Sequence, residues 1–157
     1  MTIRKATTDD FNALWRGPEL AGRQFAAHLA NNTAELWIAE ENEKVIGRIY
    51  FFTALTDDDF ANGSTRAYIT NFHVKSSFRG QGIGTQLINA IFTRLKQRGF
   101  TEATIGVDEA EESNARMYEK LGFTNTIKKC SACPICTDDN GNPFDMSEFL
   151  LLMKTLD

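Results

Sequence analysis

The spacing of apolar and polar residues along the chain changes between that of helices and that of strands. A first strand is predicted over Thr2–Ala6. Thr7 or Thr8 is expected to cap the helix that follows, because a hydroxyl there accepts a backbone N–H. A second helix is predicted from about Glu19 to Ala30. The buried stripe of the first helix is formed by Phe11, Leu14 and Trp15.

Three strands are predicted next, in segments rich in β-branched and aromatic residues. Glu35–Glu40 and Lys44–Ala54 flank a short polar turn and predict a hairpin, and a third strand follows at Ala67–Val74. The stretch Thr56–Thr65 between the last two is polar and predicts a loop. Its acidic run at positions 57–59 is interpreted as a solvated surface.

The longest helical pattern begins in a glycine-rich loop, Lys75–Gly84, and is expected to end at Gly99 in a left-handed conformation. Its buried face is formed by Leu87, Ile88, Ile91, Phe92 and Leu95. A strand over Thr101–Val107 and a helix over Ser113–Leu121 are predicted after it. Gly122 is expected to end that helix.

Two late strands, Phe123–Lys129 and Met146–Thr155, complete the predicted order, with a polar insert that carries the cysteines between them. The order is strand, two helices, three antiparallel strands, then helix, strand, helix and two strands. This order predicts an α/β fold of the mixed α+β kind, in a single domain over residues 1–157.

Composition narrows the functional classes. With 42% hydrophobic and 24% charged residues, the chain is not of a disordered or collagen-like class, and its net charge of −4 argues against a dedicated nucleic-acid binder. No apolar run approaches the roughly 20 residues that cross a bilayer, so neither a membrane partner nor a targeting segment is expected. The odd number of cysteines favours a reducing, cytoplasmic location.

The glycine-rich loop is the first candidate for binding chemistry. Gly80, Gly82 and Gly84 lie where the backbone enters a helix, whose free N–H groups and dipole favour a phosphate. Arg79 adds a positive charge. Taken alone, the loop is equally consistent with flexible glycines that bind nothing.

Two common phosphate motifs are excluded at this loop. The dinucleotide fingerprint requires glycine where the chain has Thr85 or Leu87. A Walker A loop requires glycine and lysine where the chain has Thr85 and Gln86.

A second segment places Asn114 and Tyr118 one turn apart on the next helix. A phenol held there can donate a proton to a leaving group. Taken alone, the pair is also consistent with a surface asparagine and a core tyrosine.

Together the two segments resemble the GNAT superfamily of acyl-CoA-dependent N-acetyltransferases. The residues that carry the resemblance are Val74, Arg79–Gly84, Asn114, Tyr118, Gly122 and Phe123. One departure is the alanine that directly follows Asn114. The resemblance implies a central, mostly antiparallel, splayed sheet flanked by helices, with acetyl-CoA as co-substrate.

The resemblance also implies a role for each matching residue. The loop amides would bind the pyrophosphate of coenzyme A, the end of the third strand would bind the pantetheine arm, and the N–H of Val74 would stabilise the oxyanion. Tyr118 would be the catalytic acid that protonates the departing thiolate. The implied coenzyme-binding residues are Phe72, His73, Val74, Arg79, Gly80, Gln81, Gly82, Ile83, Gly84, Thr85 and Asn114.

The implied reaction is direct attack of an amine on acetyl-CoA, in a monomer or homodimer. The acceptor is a small amine or, alternatively, an amine of a peptide or protein. Two variable segments, Trp15–Leu20 and Cys130–Asp145, are expected to form the groove walls that select it. The rival function is a non-catalytic coenzyme A-binding sensor or regulatory module. Tyr118 beside Asn114 favours the enzyme.

The base that deprotonates the amine is not evident. The strand Ala67–Val74 contains no carboxylate, and Tyr68, with an ordinary pKa of about 10, is a poor base. His73 is a candidate because imidazole titrates near neutrality, although strand histidines more often only pack. Asp108 either holds a cationic amine or caps the acidic loop after it, and His28 is expected to be structural.

Cys130, Cys133 and Cys136 have the spacing of metal ligands, but a tetrahedral site needs a fourth. Asn140 stands where an iron–sulfur motif would have its next cysteine. Reduced thiols without a metal are the favoured interpretation. A zinc-stabilised interaction protein is a third functional possibility.

Overall fold

The computed structural model describes residues 1–157, and its centre is a seven-stranded sheet. The strands are β1 (Thr2–Lys5), β2 (Ala34–Glu41), β3 (Lys44–Phe52), β4 (Arg66–Val74), β5 (Glu102–Val107), β6 (Asn125–Thr137) and β7 (Pro143–Thr155). The helices are α1 (Thr8–Leu14), α2 (Glu19–Ala30), α3 (Ile83–Gln97) and α4 (Glu112–Lys120), with a 3₁₀ turn at Ser76–Phe78. The strand order is β1-β2-β3-β4-β5-β7-β6. Only β4 and β5 pair in parallel, and the predicted order of elements is confirmed.

The first helix begins in a capping box at Thr7. The Thr7 hydroxyl accepts the N–H of Asp10 at 3.2 Å, and the Asp10 carboxylate accepts the N–H of Thr7 at 2.7 Å. Arg4 donates to the same carboxylate at 2.8 Å. Hydrogen bonds from Arg4 and Thr7 therefore hold the pKa of Asp10 well below its usual value. Of the two predicted caps, Thr7 is the one observed.

Apolar residues on the two faces of the sheet form separate clusters, because successive strand residues point to opposite sides. On β3, Ile49 and Phe51 pack with α3, whereas Tyr50 and Phe52 pack with α1 and α2. The predicted buried face of α3 is confirmed, and Gly99 follows the helix with φ +87°. α3 is therefore fixed against one face of the sheet.

A buried ion-pair network ties the C-terminal half of α3 to β2. The fully buried carboxylate of Glu35 accepts hydrogen bonds from Arg94 at 3.0 Å, Arg98 at 2.9 Å and Trp37 at 2.8 Å. Burial opposes ionisation of Glu35, but the hydrogen bonds from Arg94 and Trp37 and the charges of Lys5 and Arg94 hold its pKa below the usual value. The network fixes the position of α3 along the sheet.

The sheet opens between β4 and β5. Their parallel pairing runs from Arg66 beside Glu102 to Ile69 beside Ile105, and no pairing follows. Just beyond, β4 carries a bulge with Asn71 at φ +51°. A bulge bends its strand. The last residues of β4 therefore leave β5, and the splayed sheet is confirmed.

The predicted polar insert between the two late strands is wrong. β6 and β7 each continue for 13 residues, and their pairing reaches Thr137 beside Pro143, so the cysteines lie within β6. Bulges in β6 break the alternation of side chains, and the first six residues of β7 are all exposed although half of them are apolar or proline. The residue pattern therefore did not reveal the full length of either strand.

The acidic run 57–59 is solvent-accessible, as predicted, and it also forms ion pairs with β6. The Lys128 ammonium on β6 contacts the carboxylates of Asp57 at 2.6 Å and Asp59 at 3.0 Å. The neighbouring Phe60 and Ala61 are buried. This loop is therefore attached to the late hairpin. The longest helix, α3, has 15 residues, and none of the helices has the length and hydropathy that crossing a bilayer requires.

Candidate active site

A cavity of about 660 Å³ lies between the end of β4 and the start of α3, and α4 closes its far side. Eleven of the twelve residues predicted for the site line it, and only Gln81 does not. The lining residues that had been predicted are Phe72, His73, Val74, Arg79, Gly80, Gly82, Ile83, Gly84, Thr85, Asn114 and Tyr118. The sheet opening and two helix N-termini thus converge on one space.

The start of α3 presents unpaired amides to this cavity. The first bond of the helix runs from the N–H of Gln86 to the carbonyl of Gly82 at 3.1 Å, so the preceding N–H groups have no helical partner. Gly80 and Gly82 have φ of +77° and +81°, and a Cβ on either would meet nothing within 4 Å. The loop is therefore open on the side where an anion would lie against the helix N-terminus.

The end of β4 presents a free backbone edge to the same cavity. The N–H of Lys75 donates to the carbonyl of Ile46 at 2.8 Å, so Lys75 and Ile46 face each other as a hydrogen-bonded pair of the antiparallel strands. Val74, opposite Gly47, is then in a non-hydrogen-bonded pair, and its N–H and carbonyl point away from β3. Because β5 has already diverged, the N–H of Val74 faces the gap.

Arg79 fastens the loop to this edge. Its Nε donates to the carbonyl of Val74 at 3.0 Å. This hydrogen bond occupies the outward-pointing carbonyl of Val74, so the N–H of Val74 is the backbone group that remains free. The guanidinium also holds positive charge at the rim of the cavity, where Arg79 is a lining residue.

Tyr118 and Asn114 face the cavity from α4. Tyr118 is 9% exposed and packs edge-on against Phe123. Burial and the negative charge of Glu111 raise the pKa of the Tyr118 phenol, so the group is protonated at neutral pH. Asn114 Nδ2 donates to Glu111 Oε2 at 2.6 Å. Tyr118 is therefore packed in the core and also reaches the cavity.

The candidate bases differ in their surroundings. His73 lines the cavity, and desolvation together with the charges of Arg48 and Arg79 lowers its pKa, which makes the imidazole neutral at neutral pH. Burial raises the pKa of Tyr68 to about 12, which removes it as a base. Asp108 accepts the N–H of Ala110 at 2.9 Å, so it is seen in its capping role.

The family model for the acetyltransferase (GNAT) family matches residues 2–123. The chain belongs to this family. The match spans β1 through α4 and includes both segments on which the resemblance rested, so the predicted family is confirmed.

Individual relatives are more distant. N-acetyltransferase 8B of Homo sapiens is 30% identical over 57% of this chain and 38% of that protein, and N-alpha-acetyltransferase 30 of Schizosaccharomyces pombe is 32% identical over 55% of each. The chain therefore matches between about two fifths and just over half of the length of these relatives.

Solved structures of GNAT proteins share the fold. A GNAT family acetyltransferase from Elizabethkingia anophelis with acetyl-CoA bound has a TM-score of 0.65, at 22% identity over 99% of this chain and 97% of that one. The ribosomal-protein-S18-alanine N-acetyltransferase from Escherichia coli has a TM-score of 0.70, at 18% identity over 99% and 94%. The predicted fold class is therefore confirmed.

The site of this GNAT chain contains residues that sequence reasoning missed. A second cavity of about 470 Å³ adjoins the first at Phe72, Gly84, Thr85 and Met117. Arg116 and Lys120 line it from α4. Their spacing of four residues places both cations on one helix face, and this was the available signal.

The three cysteines do not come together around one point. No group of three or more histidine, cysteine, aspartate or glutamate side chains has the arrangement of a metal site. Cys130 packs beside the cluster of Phe60 and Tyr68, whereas Cys136 is buried in the cluster under α2. Cys133 and Cys136 are in contact with each other.

Proposed function

We propose that the protein binds acetyl-CoA in this cavity and transfers the acetyl group to an amine. The amine nitrogen bonds to the carbonyl carbon, the carbon–sulfur bond breaks, and the thiolate receives a proton from the Tyr118 hydroxyl. One observation carries the proposal. The unpaired amides of α3, the free N–H of Val74 and the protonated Tyr118 all face one cavity of about 660 Å³.

Coenzyme binding would use backbone groups for the most part. The pyrophosphate would accept the N–H groups at the start of α3, and the pantetheine arm would lie along the free edge of β4 as an added strand. Arg116 and Lys120 in the adjoining cavity would add positive charge for the other phosphate of the coenzyme. The Elizabethkingia structure with acetyl-CoA bound supports this proposal through the shared fold.

The reaction would be accelerated mainly by position and by the oxyanion donor. The N–H of Val74 faces the gap, where it would bind the carbonyl oxygen as negative charge develops there. Two proton acceptors for the amine are considered, His73 and solvent water. If His73 acts, the acid limb of the rate profile should lie below the ordinary histidine pKa of about 6.5, and the variant His73→Gln should lose that limb. If water acts, the rate profile should keep it.

The proposed acceptor is a small primary amine, with a peptide or protein amine as the alternative. The names of similar proteins include both an N-alpha-acetyltransferase and an aminoglycoside 6'-N-acetyltransferase. A cytoplasmic location and a monomer or homodimer complete the proposal. A panel of amines, with thiol release from acetyl-CoA as the readout, tests it. Turnover with any panel amine supports the enzyme, and coenzyme binding without turnover supports the sensor.

A further inference from the structure

The segment Cys133–Cys136 departs from regular strand geometry. Ala132 pairs with Asp145 and Thr137 with Pro143, so five steps along β6 correspond to two steps along β7. Residues three apart in a regular strand are about 10 Å apart. Here the N–H of Cys136 donates to the Cys133 sulfur at 3.2 Å. The extra residues therefore fold the strand back and bring the two cysteines together.

Several donors converge on the Cys133 sulfur. They are the N–H groups of Cys136 and Ile135 and the thiol of Cys136. These hydrogen bonds lower the pKa of the Cys133 thiol, whereas the same contact raises that of Cys136. Cys133 is partly exposed and Cys136 is buried. The pair thus has one accessible thiol that ionises readily and one sheltered partner.

We propose that Cys133 and Cys136 form a redox-active dithiol that a small-molecule disulfide converts to an intramolecular disulfide. The Cys133 thiolate attacks one sulfur of the oxidant and releases one thiolate, which leaves a mixed disulfide on Cys133. The Cys136 sulfur then attacks the Cys133 sulfur, loses its proton to solvent and releases the second thiolate. The dithiol is oxidised by two electrons, and the oxidant is reduced to two thiols.

Cys130 lies outside this pair. It packs beside the cluster of Phe60 and Tyr68, and burial together with the charges of Asp57 and Asp59 raises the pKa of its thiol, against the opposing charge of Lys128. The position of Cys130 outside the pair also disfavours a metal site. Two converging thiols supply half of a tetrahedral ligand set, and no third ligand joins them.

The dithiol lies in the segment Cys130–Asp145, which the resemblance leads us to expect as a wall of the acceptor groove. Cys133 packs against the apolar cluster that contains Tyr50 of β3, and Cys130 packs against the cluster that contains Tyr68 of β4. Gln24 on α2 holds the far end of the segment by accepting the N–H of Thr137 at 2.9 Å. On the proposed function, the disulfide would stiffen this wall and change the KM for the amine while coenzyme affinity is retained.

Redox titration of the full chain tests the proposal without any activity measurement. The protein is equilibrated in mixtures of reduced and oxidised glutathione, and free thiols are trapped by alkylation. The peptides from a digest are then identified by mass spectrometry. On oxidation, wild type and the control Cys130→Ser should each lose two alkylatable thiols in one step. Before alkylation, the oxidised protein should be lighter than the reduced protein by two hydrogens. Cys133→Ser should form no disulfide, and Cys136→Ser should keep glutathione bound to Cys133.

Three results would overturn the dithiol. They are a disulfide that includes Cys130, three thiols that stay free at the most oxidising ratio, and stoichiometric zinc that is lost in Cys133→Ser. Because these readouts need neither coenzyme nor acceptor, a chain without acetyltransferase activity would still give a decisive result. Acceptor KM in the oxidised and reduced states then tests the coupling to the proposed function.

Discussion

At the residue scale, Tyr118 has the most specific proposed role. Replacing it with phenylalanine keeps the ring and its packing on Phe123 but removes the proton donor. We expect kcat to fall on the order of 100-fold, with little change in coenzyme affinity. Tyr50→Phe is the matched control, since Tyr50 is also buried but lies in the cluster under α2. Equal turnover of Tyr118→Phe and wild type would contradict the role.

The pH profile adds an independent check on Tyr118. A general acid works while it is protonated, and burial raises the pKa of this phenol. The alkaline limb of kcat should therefore lie above the ordinary tyrosine value of about 10. Initial rates measured on both sides of that value, with an amine that is already neutral there, locate the limb. A limb near pH 7 would assign it to another group.

Two glycines with the same backbone conformation separate strain from binding. Gly80 and Gly141 have φ of +77° and +81°, and a Cβ on either meets nothing within 4 Å. Alanine at either position should cost a similar 1–2 kcal/mol or so of stability. Only Gly80→Ala places a methyl group on the proposed phosphate site, where we expect coenzyme affinity to fall roughly tenfold. Similar coenzyme affinity in both variants would contradict a phosphate site at Gly80.

At the element scale, the placement of α3 depends on Glu35. Removing this carboxylate in Glu35→Ala leaves Arg94 and Arg98 facing a buried gap, and we expect a loss of about 3 kcal/mol in the free energy of unfolding. Glu19→Ala removes a carboxylate from an exposed pair on α2 and should leave stability unchanged. Urea denaturation of the two variants measures the difference. A Glu35 variant as stable as wild type would show that packing alone holds α3.

Acid sensitivity should follow from the same carboxylates. Hydrogen bonds and cations lower the pKa of both Glu35 and Asp10 in the folded state. Their contribution to stability is therefore complete above the ordinary carboxyl pKa of about 4 and is lost as the pH falls below it. Thermal unfolding followed from pH 6 to pH 3 should show a steeper loss of Tm in wild type than in Glu35→Ala.

The elements also show what could be predicted from the sequence. α3 was predictable because its five predicted apolar positions fall on one face, and β2 and β3 because β-branched and aromatic residues fill them. The length of β6 was not, because bulges remove the period-2 pattern, and no local signal marks how far two strands pair.

At the scale of the whole molecule, the site is assembled by topology. The divergence of β4 from β5 after Ile69 and the bulge at Asn71 create the gap, and neither feature has a signature that the residue pattern reveals. The two motifs could be recognised in the sequence because the glycines of the loop, and likewise Asn114 and Tyr118, lie within a few residues of each other along the chain. The spacing of Arg116 and Lys120 was also visible in the sequence, but the cavity between the motifs and the position of these two cations beside it are seen only in the folded chain.

Isothermal titration of folded protein with acetyl-CoA tests the central claim most directly, with circular dichroism to verify folding. We predict one molecule bound per chain, and affinity for pantetheine, which lacks the pyrophosphate, at least roughly tenfold weaker. No binding of acetyl-CoA, or equal affinity for both compounds, would contradict a diphosphate held by the amides at the start of α3.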